Sequence, residues 1–184
     1  MTMALGKCGR WAKDAPRWAL GLGSVAPDLP LYVLSFGGIW YFGTYKQMPR
    51  QEVGEHIFHN LFYNDPIWLT LHNFLHSPTM LFMLVGACLV LGKWPTFRRW
   101  SLFFLASCSL HCLVDIATHN DDGPLLFFPF NWNFRFSSPV SYWDPDHHGV
   151  GFMVFEGILD LILVGVLVRC WLENRGSNEA KNFS

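Results

Sequence analysis

The sequence predicts an all-α, polytopic membrane protein with about four transmembrane helices and an aromatic-rich loop that is re-entrant or interfacial. The 184-residue chain is 51% hydrophobic and only 15% charged, whereas soluble domains are typically about 25% charged. Four apolar stretches also approach the roughly 20 residues that a helix needs to cross a bilayer. A disordered chain is excluded, because 17 Phe and 9 Trp must be buried in protein or lipid.

The apolar stretches predict one membrane-embedded domain, residues 1–173, followed by a polar tail, residues 174–184. The first stretch runs from about Trp18 to Gly43 and is interrupted between Pro27 and Pro30. The other three are expected at residues 74–94, 100–118 and 152–171. A cleaved signal peptide is not expected, because the Pro-Asp pair breaks the first run and no A-x-A site follows it.

Lysine and arginine residues are distributed unequally between the two sides of these predicted spans. Of the 13 basic residues, only Lys46, Arg50 and Arg135 fall on the side opposite the termini. The positive-inside rule then places both termini in the cytoplasm and the two longer loops outside. The net charge of −1 gives no basic surface, so nucleic acid is not expected as a partner. Five cysteines without paired spacing do not indicate a disulfide framework.

The loop between the third and fourth stretches, residues 119–151, is rich in Phe, Trp, Tyr and Pro. Its prolines oppose a long helix, and its aromatic side chains are typical of the level of the lipid headgroups. We therefore expect this loop to fold back as a cap at the membrane interface.

Ionisable side chains occur inside the predicted spans, where they are costly. A carboxylate at the centre of a membrane helix costs about 2.5–3.5 kcal/mol. The spans offer few basic side chains to neutralise these carboxylates, so a bound metal ion is the favoured explanation. The residues concerned are Asp28, His72, His76, His111, Asp115, His119, Glu156 and Asp160.

Spacing sharpens the metal hypothesis. His72 and His76 share one helical face, as do His111 and Asp115, because each pair is separated by four positions. His111 and His119 lie about 12 Å apart along a straight helix. They cannot share an ion unless His119 curls back, so one or two ions are expected. Imidazole and carboxylate ligands suit zinc, iron or manganese.

Four short motifs follow one another between residues 20 and 130. The segments Gly23–Asp28, His72–Ser77, His111–Asp115 and Gly123–Pro129 read GSVAPD, HNFLHS, HCLVD and GPLLFFP. They resemble the G-S-x-x-P-D, H-R-x-x-T-H, H-x3-D and G-x-x-L-x-x-P motifs of the membrane-bound metal-dependent hydrolases, the YdjM-like inner-membrane proteins. The second motif departs from the family, because its histidines are four positions apart instead of five. A similar motif order occurs in zinc-dependent phospholipase C-like proteins.

The resemblance implies a metal-dependent hydrolase of the inner membrane. Its expected cofactor is a divalent metal, zinc, and its expected partner is a membrane lipid or lipid-linked ester or phosphoester substrate. Either Glu156 or Asp122 is expected to act as the catalytic base that takes a proton from water. An oligomer is compatible with the sequence. The expected metal ligands are Asp28, His76, His111 and Asp115, with His72 and His119 as further candidates.

Other interpretations remain open from the sequence. Any one of these polar residues could instead hydrogen-bond two helices together or line a proton or ion pathway. The whole protein could then be a metal or proton carrier, or a structural membrane subunit. Asp160 could support the site without ligating a metal. The pair His147 and His148 could be a ligand, a general acid or a solvated turn, and His56 and His59 have no assigned role.

Overall fold

The computed structural model describes residues 16–142 and 144–182, with residues 173–182 described by backbone alone. The predicted all-α architecture is confirmed, and within these residues no strand forms beyond an isolated bridge between Leu125 and Arg135. Outside the described residues lie three of the basic residues used to predict the membrane orientation, Lys7, Arg10 and Lys13, and one aromatic residue of the loop, Trp143. The helices are α1 (Arg17–Val25), α2 (Leu29–Trp40), α3 (Arg50–Glu55), α4 (Pro66–Asn73), α5 (Pro78–Leu91), α6 (Pro95–Thr118) and α7 (Gly149–Asn182).

Two of these helices lose their regular hydrogen-bond pattern at the C-terminal end. α2 continues into a π-helical turn, Tyr41–Tyr45, and α3 continues through the π-helical turn His56–Leu61 into Phe62–Asn64. α7 extends through Asn182, so its backbone remains helical in most of the region predicted as a polar tail.

In the part of the chain that the structure describes, the candidate membrane spans number between two and four by length and composition. α6 and the segment Gly149–Leu172 of α7 each qualify alone. α1 with Leu29–Tyr45, and α4 with α5, qualify as pairs that bend by 44° and 55°. The second pair differs from the predicted span at 74–94. It begins earlier, at Pro66, and its helix breaks between Asn73 and Pro78. Pro78 explains the break, because proline disfavours helical backbone at the preceding residue, and Ser77 is extended.

The first bend lies where the sequence places two prolines around one acid. Asp28 is the residue immediately before α2, and Pro30 occupies the first turn of that helix. Pro27 has no N–H group to continue the hydrogen bonding of α1. The bend therefore presents Asp28 at a helix junction, and its side chain is only half-buried.

Close packing between α1 and α6 holds this junction near α6. A Cβ atom added to Gly23 would lie only 2.4 Å from the carbonyl oxygen of Phe104 and 2.8 Å from Cβ of Ser107. Ser107 Oγ donates a hydrogen bond of 2.7 Å to the carbonyl of Leu20. Because only glycine permits this approach, the segment that ends at Asp28 is held directly against α6.

The aromatic-rich loop packs across the ends of α4, α5 and α6. The buried Asn73 side chain accepts a 2.7 Å hydrogen bond from the backbone N–H of Leu125. Ser77 Oγ donates to the carbonyl of Phe128, and Ser138 Oγ donates to the carbonyl of Ala117. The loop is thus tied to three helices, while its depth in a membrane stays a prediction.

Candidate metal site

One ligand atom from each of Asp28, His76, His111 and Asp115 lies within 4.8 Å of the others. Asp28 comes from the α1–α2 bend and His76 from the α4–α5 break, whereas His111 and Asp115 share one face of α6. Both helix breaks therefore point a ligand at the same turn of α6. This group could hold a metal ion.

The distances within the group fit a single ion. Asp115 Oδ2 lies 2.7 Å from His76 Nε2 and 3.1 Å from His111 Nε2, and the two Nε2 atoms are 3.1 Å apart. Asp28 Oδ1 lies 3.6 Å from His76 Nε2 and 3.4 Å from His111 Nε2. Ligand atoms around a tetrahedral zinc ion, with bonds of about 2.0–2.1 Å, are about 3.3 Å apart. Only small adjustments would place all four atoms around one ion.

Neighbouring groups orient the two imidazoles. His111 Nδ1 donates a 3.0 Å hydrogen bond to the carbonyl of Ser24, so that in the neutral imidazole Nε2 is the nitrogen able to ligate a metal. Cys112 Sγ donates to the carbonyl of His76 and so holds the α4–α5 break against α6. His76 Nδ1 is buried and has no hydrogen-bond partner in the described part of the chain.

The site is closed on one side and open on the other. The His76 side chain is 1% exposed, whereas that of Asp28 is 32% exposed. Val25 and Leu29, which flank the α1–α2 bend, are each 55% exposed. Apolar side chains close to Asp28 in the chain are therefore exposed. When both imidazoles are neutral, the two carboxylates give the group two negative charges, which a divalent cation would neutralise.

The structure does not bring His72 and His119 into the four-residue group. His72 is buried, and its ring stacks on those of His76 and Phe62 at centroid distances of 4.6 and 5.2 Å. His119 donates from Nδ1 to the carbonyl of Asp115, 3.0 Å away. Both histidines thus contact a member of the group without adding a ligand atom to it.

The two candidate bases lie in different surroundings. Glu156 Oε1 accepts a 3.0 Å hydrogen bond from the hydroxyl of Tyr142, and burial followed by the Glu156 carboxylate raises the pKa of Tyr142 to about 12. Asp122 Oδ1 is buried without a hydrogen-bond partner among the described residues. Burial raises the pKa of Asp122 above its ordinary value. Asp160 is exposed on α7.

The remaining described histidines are not members of the four-residue group. His147 Nδ1 donates to Asp144 Oδ2 at 2.7 Å, and this contact lowers the pKa of Asp144. His148 follows in a left-handed backbone conformation with φ of 62°. The ring of His56 packs edge-on against Phe42, and His59 is exposed.

Four supporting contacts were not found from the sequence. A contact at Asn73 could have been anticipated from the sequence, because Asn73 is a polar amide residue between the two histidines of HNFLH. The Ser24 carbonyl is a backbone group and has no sequence signature. Cys112 is a small residue of a type common in helix cores, and Tyr142 is one of many aromatic residues in the loop. Each contact depends on residues far apart in the chain, so local pattern could not predict it.

Comparison of the chain with protein-family models, curated proteins and solved structures gives no match. The geometry of the four-residue group therefore stands as the main evidence on function.

Proposed function

We propose that the protein is a membrane-bound hydrolase that uses one divalent metal ion, zinc, to cleave a lipid or lipid-linked ester or phosphoester. The observation that carries this proposal is the convergence of Asp28, His76, His111 and Asp115 from three separate chain segments. The motif resemblance to inner-membrane hydrolases supports the same proposal, including a location in the inner membrane with both termini cytoplasmic.

Zinc is the proposed metal because the donor set combines two imidazoles with two carboxylates at tetrahedral spacing. A bound divalent ion would supply Lewis acidity and a coordinated water of lowered pKa. Ser24 holds His111 in the tautomer that such an ion requires, through the hydrogen bond to its carbonyl.

Asp122 is the proposed base. Its buried Oδ1 has no hydrogen-bond partner among the described residues, and its raised pKa favours a carboxylate that readily takes a proton. Glu156 is less suited to this role, because one of its oxygens already accepts the Tyr142 hydroxyl. We assign Glu156 instead to holding α7 against the loop.

A lipid substrate is proposed from the surroundings of Asp28. Asp28, the most exposed ligand of the group, lies near Val25 and Leu29 in the chain, and these two apolar side chains are each 55% exposed. A substrate that approaches through this surface must carry apolar groups beside its ester. This arrangement fits a lipid better than a water-soluble metabolite.

Hydrolysis by the detergent-purified protein tests the proposal. Zinc is removed by a chelator and restored, and cleavage of bis(p-nitrophenyl) phosphate and p-nitrophenyl butyrate is followed at each step. We expect activity that disappears with zinc, returns with it and is absent from His111→Ala but present in His59→Ala. Cleavage that is equal with and without metal contradicts the proposal. Zinc flux into sealed vesicles without any hydrolysis would favour a carrier instead.

A further inference from the structure

A second polar cluster lies beside the four-residue group, and its central cation is Arg135. The guanidinium carbon of Arg135 lies 5.2 Å from the ring centre of Phe62 and 5.4 Å from that of Tyr63. Its Nη1 donates to the carbonyl of Gly123. Because the two rings and this bond fix the side chain, its charge is held in one place. The guanidinium has five N–H donors, so one bond to a carbonyl leaves most of its capacity for a ligand.

Two buried polar atoms near Arg135 have no hydrogen-bond partner in the described residues. One is Nδ1 of His72, whose ring contacts the Phe62 ring beneath Arg135. The other is Oδ1 of Asp122, which directly precedes Gly123 in the chain. Buried polar groups are almost always hydrogen-bonded in folded proteins. The His72 nitrogen therefore indicates that the cluster receives a polar ligand, whereas Asp122 Oδ1 can only accept a hydrogen bond while the carboxyl group is ionised.

Two series of residue contacts connect the cluster to the candidate metal site. His72 stacks on His76 with ring centres 4.6 Å apart. A Cβ atom at Gly123 would lie 3.2 Å from Cβ of His119, and His119 donates to the carbonyl of Asp115. These contacts connect the Arg135 cluster to His76 and Asp115 of the candidate metal site.

A purely structural role explains only part of this arrangement. The bond from Arg135 to Gly123 would fix the turn after α6, and Asp121 and Asp122 interact electrostatically with the guanidinium. These contacts leave the buried Nδ1 of His72 unexplained. An anionic oxygen between His72 and Arg135 would satisfy the imidazole N–H and the guanidinium together.

We propose that Arg135 and His72 form a phosphate-binding subsite beside the metal, so that the substrate is a phosphoester and not a carboxylic ester. This inference rests on the proposed function and narrows its substrate class. Arginine suits the role because its planar donors match phosphate oxygens in pairs. Arg135 is also one of only three basic residues on its predicted side of the membrane.

Inorganic phosphate is the probe for this subsite. Its affinity for zinc-loaded protein in detergent is measured by titration calorimetry, with bound zinc measured on the same sample. We expect Arg135→Gln to weaken phosphate binding about tenfold or more while zinc stays bound, and Arg135→Lys to weaken it less. Arg50→Gln, which changes an exposed arginine on the same predicted side, should bind phosphate like the unaltered protein.

An affinity within twofold of the unaltered protein in Arg135→Gln overturns the proposal. If Arg135→Gln does not retain zinc, the phosphate affinity of Arg135→Lys becomes the test. An affinity in Arg135→Lys equal to that of the unaltered protein also overturns the proposal. The same titration of zinc-free protein separates this inference from the proposed function. The protein could fail to bind zinc and still bind phosphate in a way that depends on Arg135. That result would refute the proposed zinc hydrolase but support the phosphate-binding subsite.

Discussion

His76 Nε2 lies 2.7 Å from Asp115 Oδ2, although 39 positions separate the two residues in the chain. The contact joins the break between α4 and α5 to the C-terminal half of α6. It exists because the break turns the chain by 55° and because the thiol of Cys112 binds the carbonyl of His76. The contact between His76 and Asp115 thus links two helix segments at the candidate metal site.

Removal of any one of the four ligands should abolish tight metal binding. We expect the purified protein to retain about one equivalent of zinc, measured by elemental analysis after gel filtration. His111→Ala should lower zinc affinity by more than about a hundredfold, because loss of a residue that only supports a ligand already costs 10–100-fold. His59→Ala is the matched control, since that histidine is exposed. Full zinc retention in His111→Ala would refute the site.

Gly23→Ala should destabilise the protein through the contact between α1 and α6. The added methyl group would lie 2.4 Å from the backbone carbonyl of Phe104, which cannot move away without shifting α6. We expect a loss of about 1–3 kcal/mol in the free energy of unfolding in detergent. Gly37→Ala, where a Cβ atom meets nothing within 4 Å, should be neutral or slightly stabilising. Equal stability of the two variants would contradict the close packing.

Asn73→Leu should loosen the aromatic-rich loop. The substitution leaves the buried N–H of Leu125 without its acceptor, which costs about 1–3 kcal/mol. Asn64→Leu is the control, because Asn64 and Asn73 both donate to the carbonyl four residues earlier, but only Asn73 is buried. Hydrogen exchange of residues 119–142 should increase in Asn73→Leu alone. Unaltered exchange there would show that the Asn73 bond does not anchor the loop.

Asp122→Asn should stabilise the protein at neutral pH. Burial raises the pKa of Asp122, so the folded state disfavours the ionised carboxylate and loses stability as the pH rises through that raised pKa. Below the ordinary aspartate pKa of about 3.9 the carboxyl group is neutral in both states, and the advantage of the variant should disappear. Thermal unfolding measured between about pH 4 and pH 8 tests this dependence. The control is Asp121→Asn, whose carboxylate is exposed, and an equal gain in both variants would contradict burial as the cause.

The sequence by itself determined the helical class and the approximate apolar stretches, because hydropathy and proline act locally. It also identified Asp28, His76, His111 and Asp115, since each is a costly polar residue in an apolar environment. The four-residue spacing of His111 and Asp115 was sufficient to place them on one face of α6. These inferences needed no knowledge of how the helices pack.

Only the tertiary structure decided which histidines meet. His72 and His76 would share one helical face if the helix were continuous. The helix instead breaks between Asn73 and Pro78, so His76 turns toward α6, whereas His72 stays stacked on the His76 ring outside the four-residue group. His119 could not be excluded by spacing, because its position depends on where α6 ends. The same holds for Arg135, which contacts Phe62 and Tyr63 only because the loop folds back across three helices. Such contacts link residues distant in the chain, and their geometry follows from bends and close packing that hydropathy does not encode.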